Sequence, residues 1–313
     1  MEPKKELKVL SVNISTEKGT IKQPVESITL DGKGIVDDAH AGAWHRQVSL
    51  LAKESVDKFS KLAGREIKYG EFAENLTTEG FEVYKTSPLD RLISSKVELE
   101  ITQIGKACHG SQCAIFREVG NCVMPKEGIF TRVIKPGKVT PGDVFTYHPR
   151  VFRFEVITLS DRASRGDYED RSGPRIIEVI NQHYEKLPRQ VEIEHTIIPD
   201  EEDNLRILLE RAAAKNTDVL ITTGGTGIGR RDITVETVKP LLDKEIPGIM
   251  EHIRIKYGSQ KPNALLSCGV AGLMNNTLVY TLPGSVKAVN EYMTEILKTM
   301  EHLIYMREGL DAH

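Results

Sequence analysis

The chain has 313 residues, of which 39% are hydrophobic and 28% charged, and it carries a formal net charge of −3 at neutral pH. These are the proportions of a soluble globular protein, long enough for two domains that each have a core. With no basic excess there is no reason to expect a nucleic-acid partner. No apolar stretch reaches membrane-spanning length, and the opening MEPKKELKVLSVNIS lacks the apolar run of a signal peptide. Four cysteines, Cys108, Cys113, Cys122 and Cys268, are too few for a disulfide framework. The expectation is a reduced, cytoplasmic protein with no membrane partner.

The first half is rich in short β segments separated by turn residues: KVLSVNIS, SITLDGKG, KVELEITQIG and GIFTRVIKPGKVTPGDVFTYH. One stretch with helical spacing, SLLAKESVDKFSKLAG, interrupts them and ends on Gly64, placed as a C-cap. So many short strands must pair or close their edges, which predicts a β-barrel. Near residue 150 the rhythm changes without a long linker, dividing the chain into domains 1–149 and 150–313.

From there strands alternate with helices. RFEVITLS, QVEIEHTII, TDVLITT and NTLVYTL read as strands. GPRIIEVINQHYEKL, with Pro174 near its start, DEEDNLRILLERAAAK and SVKAVNEYMTEILKTMEHLIYM read as helices, and the run from Thr234 to Gly258 as a helix broken at Pro240 and Pro247. This order predicts an α/β/α three-layer domain with a mostly parallel sheet. Cys268 reads as a core residue.

In such a fold ligands bind outside the carboxyl ends of the strands. The third strand ends in TTGGTGIGRRDIT, where bare backbone at Gly224, Gly225, Thr226 and Gly227 allows N–H groups to approach an anion. It is neither a Walker loop, since no lysine with serine or threonine follows, nor a dinucleotide fingerprint, since Arg230 stands where the third glycine belongs. The four strand ends together present Asp161, Asp170, Asp200, Asp232 and Ser285. Carboxylates beside an anion-binding loop fit a divalent metal bridging to phosphate; each Asp could also cap a turn or helix. Arg230 and Arg231 either neutralise developing charge or are solvated.

The runs SDRAS…DRSGP, PDE, TTGGTG…RRDIT, LLSCGVAG and LPGS, in this order over residues 151–313, resemble the molybdopterin adenylyltransferase (MogA/MoaB) family. The resemblance implies the molybdopterin-binding fold and Mg²⁺-dependent joining of AMP from ATP to molybdopterin with release of pyrophosphate. It puts the essential acids, which would also hold Mg²⁺, at Asp200 and Asp232. Gly224, Gly225, Thr226 and Gly227 would contact phosphates, with Asp161, Asp170, Ser267, Pro283, Gly284 and Ser285 as further substrate-binding positions. It also implies a homotrimer, with a molybdate-insertion protein and molybdoenzymes as partners.

The runs DAHAG…HRQVSLL, GEFAENLTTEG, IGKACH, EGIFTRV and GDVF, over about residues 5–147, resemble the MOSC domain. That implies a barrel that binds molybdenum cofactor or carries sulfur, with Cys108 as the hallmark residue and His40, His45, Arg46 and Asn75 around it. Other readings of the thiols stay open: Cys108, His109, Cys113 and Cys122 as zinc ligands, although their spacing is poor for that, or buried inert side chains. For the whole chain the alternatives to an adenylyltransferase are a non-catalytic cofactor carrier and a MOSC-centred reductase or sulfur-transfer protein.

Overall fold

Strand β1 (Glu6–Ile14) buries Leu7, Val9 and Val12, the signature of a strand with one face on a core. The computed structural model describes residues 5–106 and 123–310, and the chain falls into two units, Met1–Arg150 and Val151–His313. In the first, β2 (Gln23–Val25), β3 (Ile28–Asp31), β4 (Gly34–Ile35) and β5 (Val48–Ala52) lead into helix α1 (Lys53–Ala63). There follow β6 (Leu76–Glu79), β7 (Arg91–Ile93), β8 (Glu98–Ile104), the short α2 (Met124–Glu127), β9 (Ile129–Lys135), β10 (Gly137–Val139) and β11 (Val144–His148). Strands β11, β7, β8, β9, β5, β6 and β1 are hydrogen-bonded in that order, and β11 pairs with β1 to close the ring. The predicted barrel is therefore present, with seven strands and a core that includes Leu7, Leu50, Leu76, Leu99 and Phe145.

One segment departs from expectation. SLLA was read as the start of the helix, yet Val48–Ala52 is a strand and α1 begins only at Lys53. All five residues of β5 are buried, so no alternation marks the segment as a strand. Gly64 is the left-handed C-cap expected, at φ 65°. A Cβ there would meet nothing within 4 Å, so Gly64→Ala is expected to cost only the left-handed penalty, about 1 kcal/mol, as read by urea unfolding.

The second unit runs β12 (Val151–Leu159), α3 (Asp161–Ser164), α4 (Ser172–Tyr184), β13 (Gln190–Ile198), α5 (Glu202–Ala214), β14 (Val219–Thr223), α6 (Thr234–Val238), β15 (Lys244–Glu245), α7 (Pro247–Gly258), β16 (Ala271–Met274), β17 (Thr277–Leu282) and α8 (Val286–Arg307). The sheet order is β13-β12-β14-β17-β16-β15; the first four strands are parallel, and β16 pairs antiparallel with both β17 and β15. Successive residues of β12 face opposite layers. Phe152 and Phe154 lie against Tyr184 of α4, while Ile157 joins the cluster containing Leu205 and Leu209 of α5. Helices thus cover both faces, giving the three layers expected. The run after Thr234 is more broken than predicted: Pro240 lies in a 3₁₀ turn, Pro247 opens α7, and between them β15 forms the sheet edge. No helix among the described residues is long and apolar enough to cross a membrane.

Candidate active site

The parallel register aligns the carboxyl ends of four strands: Leu159 pairs with Ile198, Thr158 with Thr223, and Thr223 with Leu282. Beyond β14 the chain turns through Gly224 at φ 103° and Gly225 at φ 63°. A Cβ on Gly224 would stand 2.3 Å from the Leu159 carbonyl oxygen, and one on Gly225 2.4 Å from Thr234 Oγ1. Only glycine fits this fold-back. Thr234 secures it, its hydroxyl donating to the Gly224 carbonyl at 2.8 Å and its amide to that of Gly225 at 3.1 Å. The loop after β17 packs against it so closely that a Cβ on Gly284 would be 3.2 Å from Gly224 Cα.

Three of the predicted acids lie around this loop. The Asp161 amide donates to Asp200 Oδ2 at 3.0 Å and the Asp200 amide to Asp161 Oδ1 at 3.2 Å, so the ends of β12 and β13 clasp one another. Arg231 donates through Nη2 to both Asp161 oxygens at 2.6 Å, so of the two arginines this one is engaged. Its guanidinium holds the Asp161 carboxyl below the usual carboxylate range. Asp200 is pushed the other way, first by burial and then by the negative charges of Asp161 and Asp232. Asp232 Oδ2 accepts from the Gly229 amide at 2.7 Å, which aims the carboxylate back at its own loop.

A cavity of about 430 Å³ opens beside Asp232, while Asp161, Asp200 and Gly224 lie outside its lining. It gathers Gly225, Thr226, Gly227, Asp232, Ser267, Pro283, Gly284 and Ser285 from the predicted set. Ser285 also caps α8, accepting from the Ala288 amide at 3.2 Å, so the positive end of that helix faces the cavity. Sequence reasoning missed Lys261, Asn263, Lys287, Glu291 and Tyr292, which also line the cavity. Asp170 is not brought there. Its carboxylate, 6% exposed, accepts from Thr158 Oγ1 at 2.7 Å and the Ser172 amide at 2.9 Å and lies 3.3 Å from His195 Nε2, fastening the start of α4. Cys268, expected in the core, is exposed; its amide donates to the Thr226 carbonyl at 3.0 Å and its thiol to the Leu266 carbonyl at 3.9 Å.

No three His, Cys, Asp or Glu side chains among the described residues converge as a metal-binding group. Asp200 and Asp232 fit Mg²⁺ in another way. Burial first, and then the charges of Asp161 and Asp232, raises the Asp200 carboxyl; a bound cation would favour its ionised form and needs only one or two protein carboxylates.

In the barrel unit, Asn75 is buried, and its Nδ2 donates to the Asn13 carbonyl at 3.1 Å and to Asp38 Oδ2 at 3.0 Å. Asp38 in turn pairs with the buried Lys22 and accepts from the His40 amide at 2.9 Å. Burial works against charge at both ends of this pair, but His40 and Lys22 still hold the Asp38 carboxyl far below its ordinary range. Arg46 lies over the Trp44 ring at 4.8 Å, and the His45 carbonyl accepts from Thr102 Oγ1 at 2.6 Å. Asn75, His40, His45 and Arg46 are thus placed, the first as a structural bridge; Cys108, His109, Cys113 and Cys122 lie outside the described residues.

Comparison with known proteins separates the same two halves. Residues 155–302 match the family described as a probable molybdopterin binding domain, and residues 37–146 match the MOSC domain. A molybdopterin adenylyltransferase from Pyrococcus furiosus is 40% identical over 161 residues, 50% of this chain and 91% of the relative. By its second half, this chain belongs to the molybdopterin adenylyltransferase family. A namesake from Helicobacter pylori is 35% identical over 48% of this chain and 84% of its own length. Among solved structures, a tungsten cofactor synthesizing protein MoaB from Pyrococcus furiosus is 36% identical over 51% of this chain and 98% of its own, with a TM-score of 0.45. In this member of the adenylyltransferase family, the residues that match the MOSC domain stand ahead of the matched half.

Proposed function

We propose that the second half adenylylates molybdopterin with Mg·ATP in molybdenum cofactor biosynthesis, and that the MOSC half binds the product or cofactor or carries sulfur. The observation that carries the reading is the convergence of the glycine loop, Asp232, Ser267 and the Pro283–Ser285 loop on one cavity at the carboxyl ends of the sheet. In the reaction a terminal phosphate oxygen of molybdopterin attacks the α-phosphorus of ATP. The bond from that phosphorus to the oxygen bridging to the β-phosphate breaks, and pyrophosphate leaves with the bonding pair. Such a transfer needs positioning and charge neutralisation more than covalent help. The N–H groups around Gly225–Gly227 and the N-terminus of α8 supply fixed positive dipoles for phosphate oxygens. Asp200 and Asp232 would hold Mg²⁺, which supplies charge neutralisation on the phosphates when bound.

The test is pyrophosphate release from Mg·ATP by the full chain, with and without molybdopterin. Release that requires molybdopterin is the expected result. A chain that binds molybdopterin but releases no pyrophosphate would be a carrier, and the reading would fall.

A further inference from the structure

Two side chains in the cavity have no role in the reading so far. Lys287 stands in the first turn of α8, where the helix presents its positive end and where an acidic residue would be the stabilising choice; that turn contains no acid. Lys261, in the lining of the same cavity, stands at the start of the 3₁₀ turn Pro262–Leu266. Both side chains line this cavity; Lys287 holds Lys261 below its ordinary value, while Lys287 is itself raised by Lys261. Glu291, the carboxylate nearest to Lys287 and also in the lining, is 3.5 Å from it and offsets only part of this charge. Two like charges placed side by side at a helix N-terminus are unfavourable for the free protein. A ligand with two adjacent anionic groups reverses the sign of all three terms.

We propose that Lys261 and Lys287 form a paired site for two adjacent phosphoryl groups of the nucleotide, the β and γ groups that leave as pyrophosphate. This rests on the adenylylation reading and adds to it which side chains take the leaving group. The pair shares its cavity with the glycine loop and Asp232. Charge on the departing bridging oxygen is then met by fixed cations as the bond to the α-phosphorus breaks.

The experiment is a calorimetric titration of the full chain with inorganic pyrophosphate, inorganic monophosphate and AMP. Lys261→Met and Lys287→Met should each weaken pyrophosphate about tenfold, the loss of one charge-assisted contact. AMP should change less than twofold, and Lys261→Arg should stay within about threefold of wild type. Glu291→Gln should tighten pyrophosphate by about threefold, because it removes the carboxylate paired with Lys287; a misfolded variant cannot produce that gain. Unchanged pyrophosphate affinity in both methionine variants would overturn the proposal. So would an equal loss for monophosphate, which would assign the lysines to the single phosphate of molybdopterin. The two readings fail separately. If the lysine variants lose pyrophosphate while wild type makes no adenylylated pterin, the paired site stands and adenylylation falls. If wild type adenylylates molybdopterin and the variants bind pyrophosphate normally, the reverse holds.

Discussion

Asp200→Asn is expected to cut molybdopterin-dependent pyrophosphate release by roughly 10²–10³-fold, the scale of losing one preorganised electrostatic contact at a reacting centre, without lowering the melting temperature at neutral pH. The substitution keeps an oxygen that can accept the Asp161 amide, so the clasp between the ends of β12 and β13 survives. What it removes is a carboxylate that burial and two neighbouring acids push above its ordinary pKa. The sign follows from linkage. A carboxyl raised in the folded state holds its proton more tightly there than in the unfolded chain, so its ionisation works against folding as pH rises through the folded value. Wild type should therefore gain stability relative to Asp200→Asn as pH falls from 7 to 4, and saturating Mg·ATP should stabilise wild type more than the variant. Thermal unfolding across that pH range, with and without Mg·ATP, makes the check. A variant that melts well below wild type at pH 7 would show Asp200 to be a structural residue instead.

Gly224→Ala should unfold about 3 kcal/mol more easily, combining an unfavourable φ of 103° with a Cβ driven into the Leu159 carbonyl oxygen. Neither obstacle can be relieved by rotating a side chain, because the atom in the way is backbone. Gly166→Ala is the matched control: its φ is 79° and nothing lies within 4 Å of the added methyl. It should lose only about 1 kcal/mol, and the difference between the two in urea isolates the clash. Activity should fall with Gly224→Ala as well, since Leu159 leads through Ser160 straight to Asp161 and Asp200. Equal losses for the two variants would mean that the fold-back tolerates a methyl group.

The sequence is most legible where chemistry and periodicity coincide. Four strand ends with acids, glycines and a capping serine could be read because parallel strands must deliver their carboxyl ends to one edge, whatever the details of packing. The glycines of TTGGTG could be read because little else demands so much bare backbone. Segments that are buried all round or exposed all round were harder. Val48–Ala52 shows no alternation because both its faces are covered. Lys244–Glu245 is an edge strand of two exposed residues with no pattern to see. Cys268 looked like core because thiols usually are, but its backbone N–H donates to the Thr226 carbonyl at an exposed position, which no side-chain rule reports. Lys261 and Lys287 belong to no motif of the sequence. Their meaning lies in a juxtaposition across 26 residues of chain that only the fold creates. Asp170 had the residue type and the neighbourhood of a site residue, yet its oxygens are consumed by Thr158, Ser172 and His195.

The strand order also acts as a ruler. From the Asp200 end at β13, through β12 and β14, to the loop after β17 there are three strand spacings, about 14 Å at the usual separation. This interval is fixed by backbone hydrogen bonds and does not change with side-chain substitution. A ligand that touches both the acid clasp and the α8 end must therefore lie stretched across the strand tips, perpendicular to the strands. Shortened analogues that satisfy one end should bind without bridging, however well they fit locally, and redesign of the site for a longer or shorter ligand would have to act on the loops, since the sheet cannot stretch.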